Sequence, residues 1–236
     1  MKKTLKAIPY DTISENFLNI KPASQFLPEW YKKSKPNITE TNTELSTFNP
    51  SNTNATYKKC IPFFDSLSIG YMVFLSCDLE VSKQESGIPL LMWRTDRGLV
   101  SEHSLNQWEG FHPPDGYSLW IFKWTNFFGL KTPKDYSLLF LSPLNRFDLP
   151  FITISGIVDT DKYNNPVHFP FFIKNNFIGV IPKGTPIAQI IPIKNDTWKI
   201  YLEKFNDKTI KIAVENFKST IKRAYKNNYW KRKQYR

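Results

Sequence analysis

The sequence predicts a mainly β protein: a barrel or sandwich of short strands, preceded by an extended arm and followed by a basic helix. Three observations carry that expectation. From Tyr117 to Ile193 short apolar runs alternate with Pro, Gly and Asn so densely that the helices of a βαβ protein have no room. Aromatic residues make up 16% of the 236-residue chain while all apolar residues reach only 41%, so a core can be built on rings rather than on Leu and Ala. Beyond Trp198 the apolar positions recur at steps of three and four, which is one face of a helix.

Residues 1–35 mix Pro22 and Pro28 with Phe26, Trp30 and Tyr31, and read as an extended arm with one short helix, able to dock through Trp30 and Tyr31. Residues 37–57 are Asn, Thr and Ser with little to bury, which predicts a loop or linker. Phe63-Phe64 and the run Leu67 to Leu79 look like strand, with Gly70 at a bulge or a close approach of backbones. Strands are then expected over 117–125, 136–142, 151–158, 166–174, 177–181 and 186–193. Prolines 150, 166, 170, 182, 186 and 192 fall at their starts or edges, where a missing N–H costs little. Ile210, Ala213, Val214, Phe217, Ile221 and Ala224 mark the apolar face of the last helix. The expected division is an arm and polar linker over 1–57, a β domain over 58–200, and a basic helical tail over 201–236.

The net charge of +11 calls for an anionic partner, and ten basic against two acidic residues after position 205 place most of it in the tail. Lys222, Arg223, Lys231 and Arg232, interleaved with Tyr225, Tyr229 and Trp230, suit a phosphate backbone with stacked bases. They also suit an acidic protein surface, with Trp230 as an anchor, or a solvated helix end. No DNA-reading motif is present, so sequence-specific recognition is not expected. Cys60 and Cys77 have neither metal-ligand spacing nor a disulfide framework, and His103, His112 and His168 are dispersed, so no metal site is expected. No apolar run is long enough for a signal peptide or a membrane span, which points to a protein that is neither secreted nor membrane-bound.

The most specific stretch is Ser155-Gly156-Ile157-Val158-Asp159-Thr160-Asp161-Lys162-Tyr163, followed by Pro182-Lys183-Gly184-Thr185-Pro186-Ile187-Ala188-Gln189. A Gly-aliphatic-aliphatic-Asp-x-Asp turn and a later Gly turn into Ile-Ala-Gln resemble the third and fourth motifs of trimeric dUTPases, a family whose fold is shared by dCTP deaminases. Over residues 136–194 the resemblance implies a dUTPase-like β-clip barrel. It further implies that Asp159 stands where the family has its general base, acting on water beside magnesium-bound phosphates. Gly156, Asp161, Tyr163, Arg146 and Gln189 would then line a nucleotide site. The departures are several. Lys162 pushes the hairpin aromatic, Tyr163, one place late. The second motif reads Ser142-Pro143-Leu144-Asn145-Arg146, without the hydroxyls that cradle phosphate. The first reads Ile69-Gly70-Tyr71-Met72, with Met in the place of the acid, and no Gly-rich flap closes the C-terminus. Neither the zinc-deaminase signature nor the late Glu of dCTP deaminases can be placed.

The chain as a whole, Pro28-Glu29-Trp30-Tyr31 and Cys60 to Asp65 included, also resembles proteins of tailed phages. Together these readings favour a non-catalytic β-clip structural protein. It would be a virion component for decoration, head or tail assembly, made in the infected host's cytoplasm and carried into the particle. It is expected to need no cofactor, to form a homo-oligomer, with a trimer favoured, and to bind other virion proteins. The alternative is a diverged deoxynucleoside triphosphate pyrophosphatase using magnesium and Asp159. A second is a nucleotide or nucleic-acid binder without turnover.

Overall fold

The computed structural model describes residues 3–37, 55–204, 207, 210, 211 and 225–236, with no account of the Leu105 side chain. Most of the predicted polar linker, and the predicted helix face with Ala213, Val214, Phe217, Ile221, Lys222, Arg223 and Ala224, lie outside the described residues. The chain divides into two compact units. One comprises Met1–Phe26, Leu67–Asn195 and Tyr235–Arg236, the other Leu27–Ser66 and Asp196–Gln234. The predicted N-terminal arm is therefore shared between them.

The first unit is mainly β, with short 3-10 turns at Ser14–Phe17, Ala23–Gln25 and Leu105–Trp108. Its strands are β1 (Lys6–Pro9), β2 (Ile20–Pro22), β3 (Tyr71–Phe74), β4 (Leu79–Lys83), β5 (Pro89–Trp93), β6 (Val100–Glu102) and β7 (Tyr117–Trp124). Then follow β8 (Phe128–Lys131), β9 (Tyr136–Leu141), β10 (Phe151–Thr153), β11 (Gly156–Val158), β12 (Phe169–Lys174), β13 (Gly179–Ile181) and β14 (Pro186–Lys194). They pair in four sheets, ordered β11-β9-β14-β3-β2, β10-β12-β7-β6, β13-β4-β5 and β1-β8. Every pairing is antiparallel. The mainly β expectation holds, and β7, β9 and β14 fall within a residue of the predicted runs. The run 151–158 is two strands in different sheets.

Two expectations are corrected. Phe63-Phe64 is not strand but lies in a helix, α2 (Ile61–Ser68), where Pro62 in the first turn is already fixed at a helical φ. The predicted arm is not simply extended, since β1 pairs with β8 and β2 extends the five-stranded sheet. Pro9 and Pro22 end these edge strands, where their missing N–H breaks no ladder.

The main core mixes a group of stacked rings with a larger number of Leu, Ile and Val side chains. Trp124 and Phe171 stack at 3.7 Å between ring centroids, and Phe151 meets Trp124 edge-on at 5.0 Å. The buried Trp124 indole N–H donates to Thr153 Oγ1, which itself donates to the Ile187 carbonyl, so the ring brings no unpaired polar atom inside. Strand β4 shows the alternation that governs packing here: Leu79 and Val81 are buried while Glu80 points out.

The second unit holds α1 (Glu29–Lys33) and a cluster of rings from Trp30, Tyr31, Tyr57 and Phe63. Lys58 lies 4.3 Å over the Tyr31 ring, and its ammonium donates to the carbonyls of Tyr31 and Lys32. Among the described residues no helix is long and apolar enough to cross a membrane.

Candidate functional site

The turn that carries Asp159 begins where β11 leaves its pairing with β9, at Val158 opposite Leu138. The Asp159 carbonyl accepts from the N–H groups of Lys162 and Tyr163 at 3.0 and 2.9 Å, closing one tight turn. Thr160 is fully buried beneath it, its hydroxyl 2.9 Å from that of Thr132. The Asp159 carboxylate is engaged by the buried Ser137, whose hydroxyl donates to Oδ1 at 2.6 Å. Ser137 Oγ also lies 2.9 Å from the Asn195 side-chain amide. A hydroxyl carries one proton, so with Asp159 taking it the amide must present its NH2 to Ser137. Asp161 Oδ2 accepts from the N–H of Asp135, whose φ of 66° is the left-handed turn conformation that Asp tolerates.

Beyond Tyr163 the chain does not fold back on β11. Instead Pro166 bridges Gly129 of β8. A Cβ on Gly129 would stand 1.9 Å from the Asn164 carbonyl oxygen, so only glycine lets the two backbones touch. Among the described residues the base-receiving hairpin implied by the family resemblance is therefore not formed, and β9 is the sole strand paired with β11. The displacement of Tyr163 by Lys162 has no strand register to act on. Tyr163 is 46% exposed at the end of the turn.

The remaining predicted residues are held by local structure. Arg146 forks onto Asp148, with Nε and Nη2 each 2.8 Å from a carboxylate oxygen. Gln189 is fully buried in β14, accepting from the Leu144 N–H at 2.9 Å and donating to the Ile69 carbonyl at 2.8 Å. Gly156 faces open space, so its lack of a side chain answers no close contact. Met72, in the place of the first-motif acid, packs with Ala23, Phe26 and Phe74. Ser137 and Leu141 mark opposite ends of β9, and Leu141 pairs with Gln189. The Asp159 and Gln189 groups are thus separated within one copy by about 13 Å of strand, at roughly 3.3 Å per residue. Among the described residues no group of three or more His, Cys, Asp and Glu gathers as metal ligands.

The predicted docking residues are placed unevenly. Tyr31 is buried at 4% exposure, while Trp30, which packs on Tyr31, Tyr57 and Phe63, is half-buried and Tyr57 is exposed. The Trp230 indole N–H donates to Asp65, joined there by the Lys233 ammonium at 2.6 Å. Lys231 and Arg232 are exposed. A more exposed apolar segment was not anticipated: Trp198, Ile200, Tyr201 and Leu202 are each at least 80% exposed. Its signal was present in the sequence, as the alternation of Trp198, Ile200 and Leu202 just before the presumed helix.

No protein-family model matches this sequence, and no curated protein matches it. Among solved structures, the chain is similar to a dUTPase variant of Staphylococcus bacteriophage 80alpha with dUpNHpp, at 11% identity and a TM-score of 0.37. The match covers 86% of this chain and 97% of that one. It is also similar to a dUTPase variant of phage phi11 of S. aureus, at 12% identity and a TM-score of 0.35, over 86% of this chain and 97% of that one.

Proposed function

We propose that the chain is a non-catalytic β-clip protein that works by docking, as a structural component of a phage particle. The observation that carries this reading is the fate of Asp159. Its carboxylate is engaged by the buried Ser137 hydroxyl, on a turn with no second hairpin arm to seat a nucleoside. A general base has to reach the proton it removes, and phosphoryl transfer depends on positioned charge. Arg146, the guanidinium a phosphate would need, is already forked onto Asp148. The exposed Trp198, Ile200, Tyr201 and Leu202 supply apolar anchors of the kind that bury in partners, a role the buried Tyr31 is placed less well to fill. A homotrimer that also contacts other particle proteins is the assembly we favour.

The test is release of pyrophosphate from a panel of deoxynucleoside triphosphates with magnesium, for the wild type and Asp159→Asn. The expected result is no turnover in either protein. Turnover in the wild type that disappears in the variant would make this a diverged nucleotidohydrolase with Asp159 as its base, and the proposal would fall.

A further inference from the structure

An open cleft of about 940 Å³ lies between the N-terminal strand, the β8–β9 connection and the turn after β11, all within the first unit. Five lysines line it: Lys3, Lys6, Lys131, Lys134 and Lys162. Two of them, Lys6 and Lys131, stand directly opposite each other in the β1–β8 ladder. Like charges in that position destabilise a sheet, so the arrangement is kept at a cost in stability. Asp135 and Asp161 are the acidic residues of the lining, against the five ammonium groups. Among the described residues, none of the five lysines forms an ion pair. A concave surface of one sign focuses its field and gathers anions.

The residue types narrow the ligand. Lysines are compact, hydrated point charges on flexible stems, suited to following a chain of phosphates, whereas gripping one phosphate by a planar fork is the work of arginine. The volume is at the upper end for a small-molecule site, and the cleft is open, so an extended ligand can pass through it. Because the five ammonium groups line an open cleft, a ligand of many linked phosphates meets more of them at once than a short inorganic polyphosphate does.

We infer that this cleft binds single-stranded nucleic acid, with its lysines on the phosphates. None of the residues that line it belongs to the basic C-terminal tail. It does not depend on the fate of Asp159, and Lys162, the residue that interrupts the dUTPase-like motif, is part of it.

The experiment is binding of a labelled single strand of roughly 20 nucleotides to the full chain between about 50 and 200 mM salt. Five phosphate contacts at a slope near −0.7 each give a total near −3.5, or about 100-fold weaker binding across that range. Lys131→Glu/Lys134→Glu/Lys162→Glu should cut affinity at low salt at least tenfold and bring the slope to about −1.4. Lys33→Glu/Lys83→Glu, on exposed lysines outside the cleft, should leave affinity and slope near those of the wild type. Lys131→Gln, which removes the repulsion with Lys6, is expected to keep or raise the thermal midpoint while lowering the slope, so lost binding cannot be mistaken for lost folding. Inorganic tripolyphosphate should compete poorly at equal phosphate concentration. The inference is overturned by a wild type that does not bind at low salt, or by a cleft variant that binds as the wild type does. Loss confined to a Lys231→Glu/Arg232→Glu variant of the tail, or full competition by tripolyphosphate, would equally overturn it.

Discussion

At the scale of single residues, the decisive question is which partner each polar atom has already taken. His168 shows how this reaches stability. Its Nδ1 accepts from the Asn126 N–H at 3.2 Å, a bond that requires the neutral ring with its proton on Nε2. Burial, with the Lys123 cation as a smaller cause, holds its pKa below the ordinary 6.5. The folded protein therefore resists protonation that the unfolded chain accepts. Stability from His168 is complete above pH 6.5 and is lost as pH falls through that value toward the lower folded one. Asp11 does not confuse the measurement. The Arg97 guanidinium and Ser14 bring its pKa down from 3.8 to about 2, so its contribution is lost only as pH falls through that lower window. The urea midpoint of the wild type should drop between about pH 7.5 and 5.5, and His168→Gln, which keeps an acceptor without the titration, should flatten the drop. Equal slopes in the two proteins would remove His168 from the account.

At the scale of elements, glycine separates what the motif requires from what the fold requires. Gly156 belongs to the dUTPase-like motif, yet a Cβ there meets nothing within 4 Å. Gly129 belongs to no motif, yet it is where β8 and the segment after Tyr163 touch, with 1.9 Å between a notional Cβ and the Asn164 oxygen. Gly129→Ala should destabilise by about 2 kcal/mol or more, because that contact is backbone and cannot swing aside. Gly156→Ala should change stability by less than about 0.5 kcal/mol. Chemical denaturation of the two variants checks both, and a tolerated Gly129→Ala would mean that residues 164–166 are not pinned to β8. This crossing is what replaces the expected hairpin, so it decides the element on which any nucleotide chemistry would have rested.

At the scale of the whole molecule, the proposed docking role makes a claim about mass. If Trp198, Ile200 and Leu202 are anchors between copies, the wild type should sediment as a multiple of 27.7 kDa, with three copies favoured. Trp198→Ser/Ile200→Ser/Leu202→Ser should shift it toward the single chain. A wild type that stays at one copy at about 100 μM would instead assign that segment to another partner or to none, since stable subunit contacts hold at far lower concentrations.

Much of the architecture was legible because it follows from local chemistry. Ring-rich composition announced the Trp124–Phe171 core, and dense turn residues bounded β7, β9 and β14 to within a residue. β1, β2 and α2 were read differently because strand pairing with a distant partner, or a proline at a helix start, overrides the propensity of a short segment. The candidate site was legible as a list of residues and not as an arrangement. Asp159, Asp161, Arg146 and Gln189 could be named from spacing, but whether a carboxylate faces a ligand or a serine depends on contacts such as Asp159 with Ser137, twenty-two positions away. The cleft of five lysines is similar, since Lys3 and Lys162 become neighbours only when β1 pairs with β8 and the turn after β11 closes beside them. The sequence by itself determined the β class, the supply of rings to the core and the excess of positive charge, because these depend on composition and short-range pattern. The tertiary structure alone decided which carboxylates are occupied and where part of that charge converges, because both depend on residues far apart in the chain.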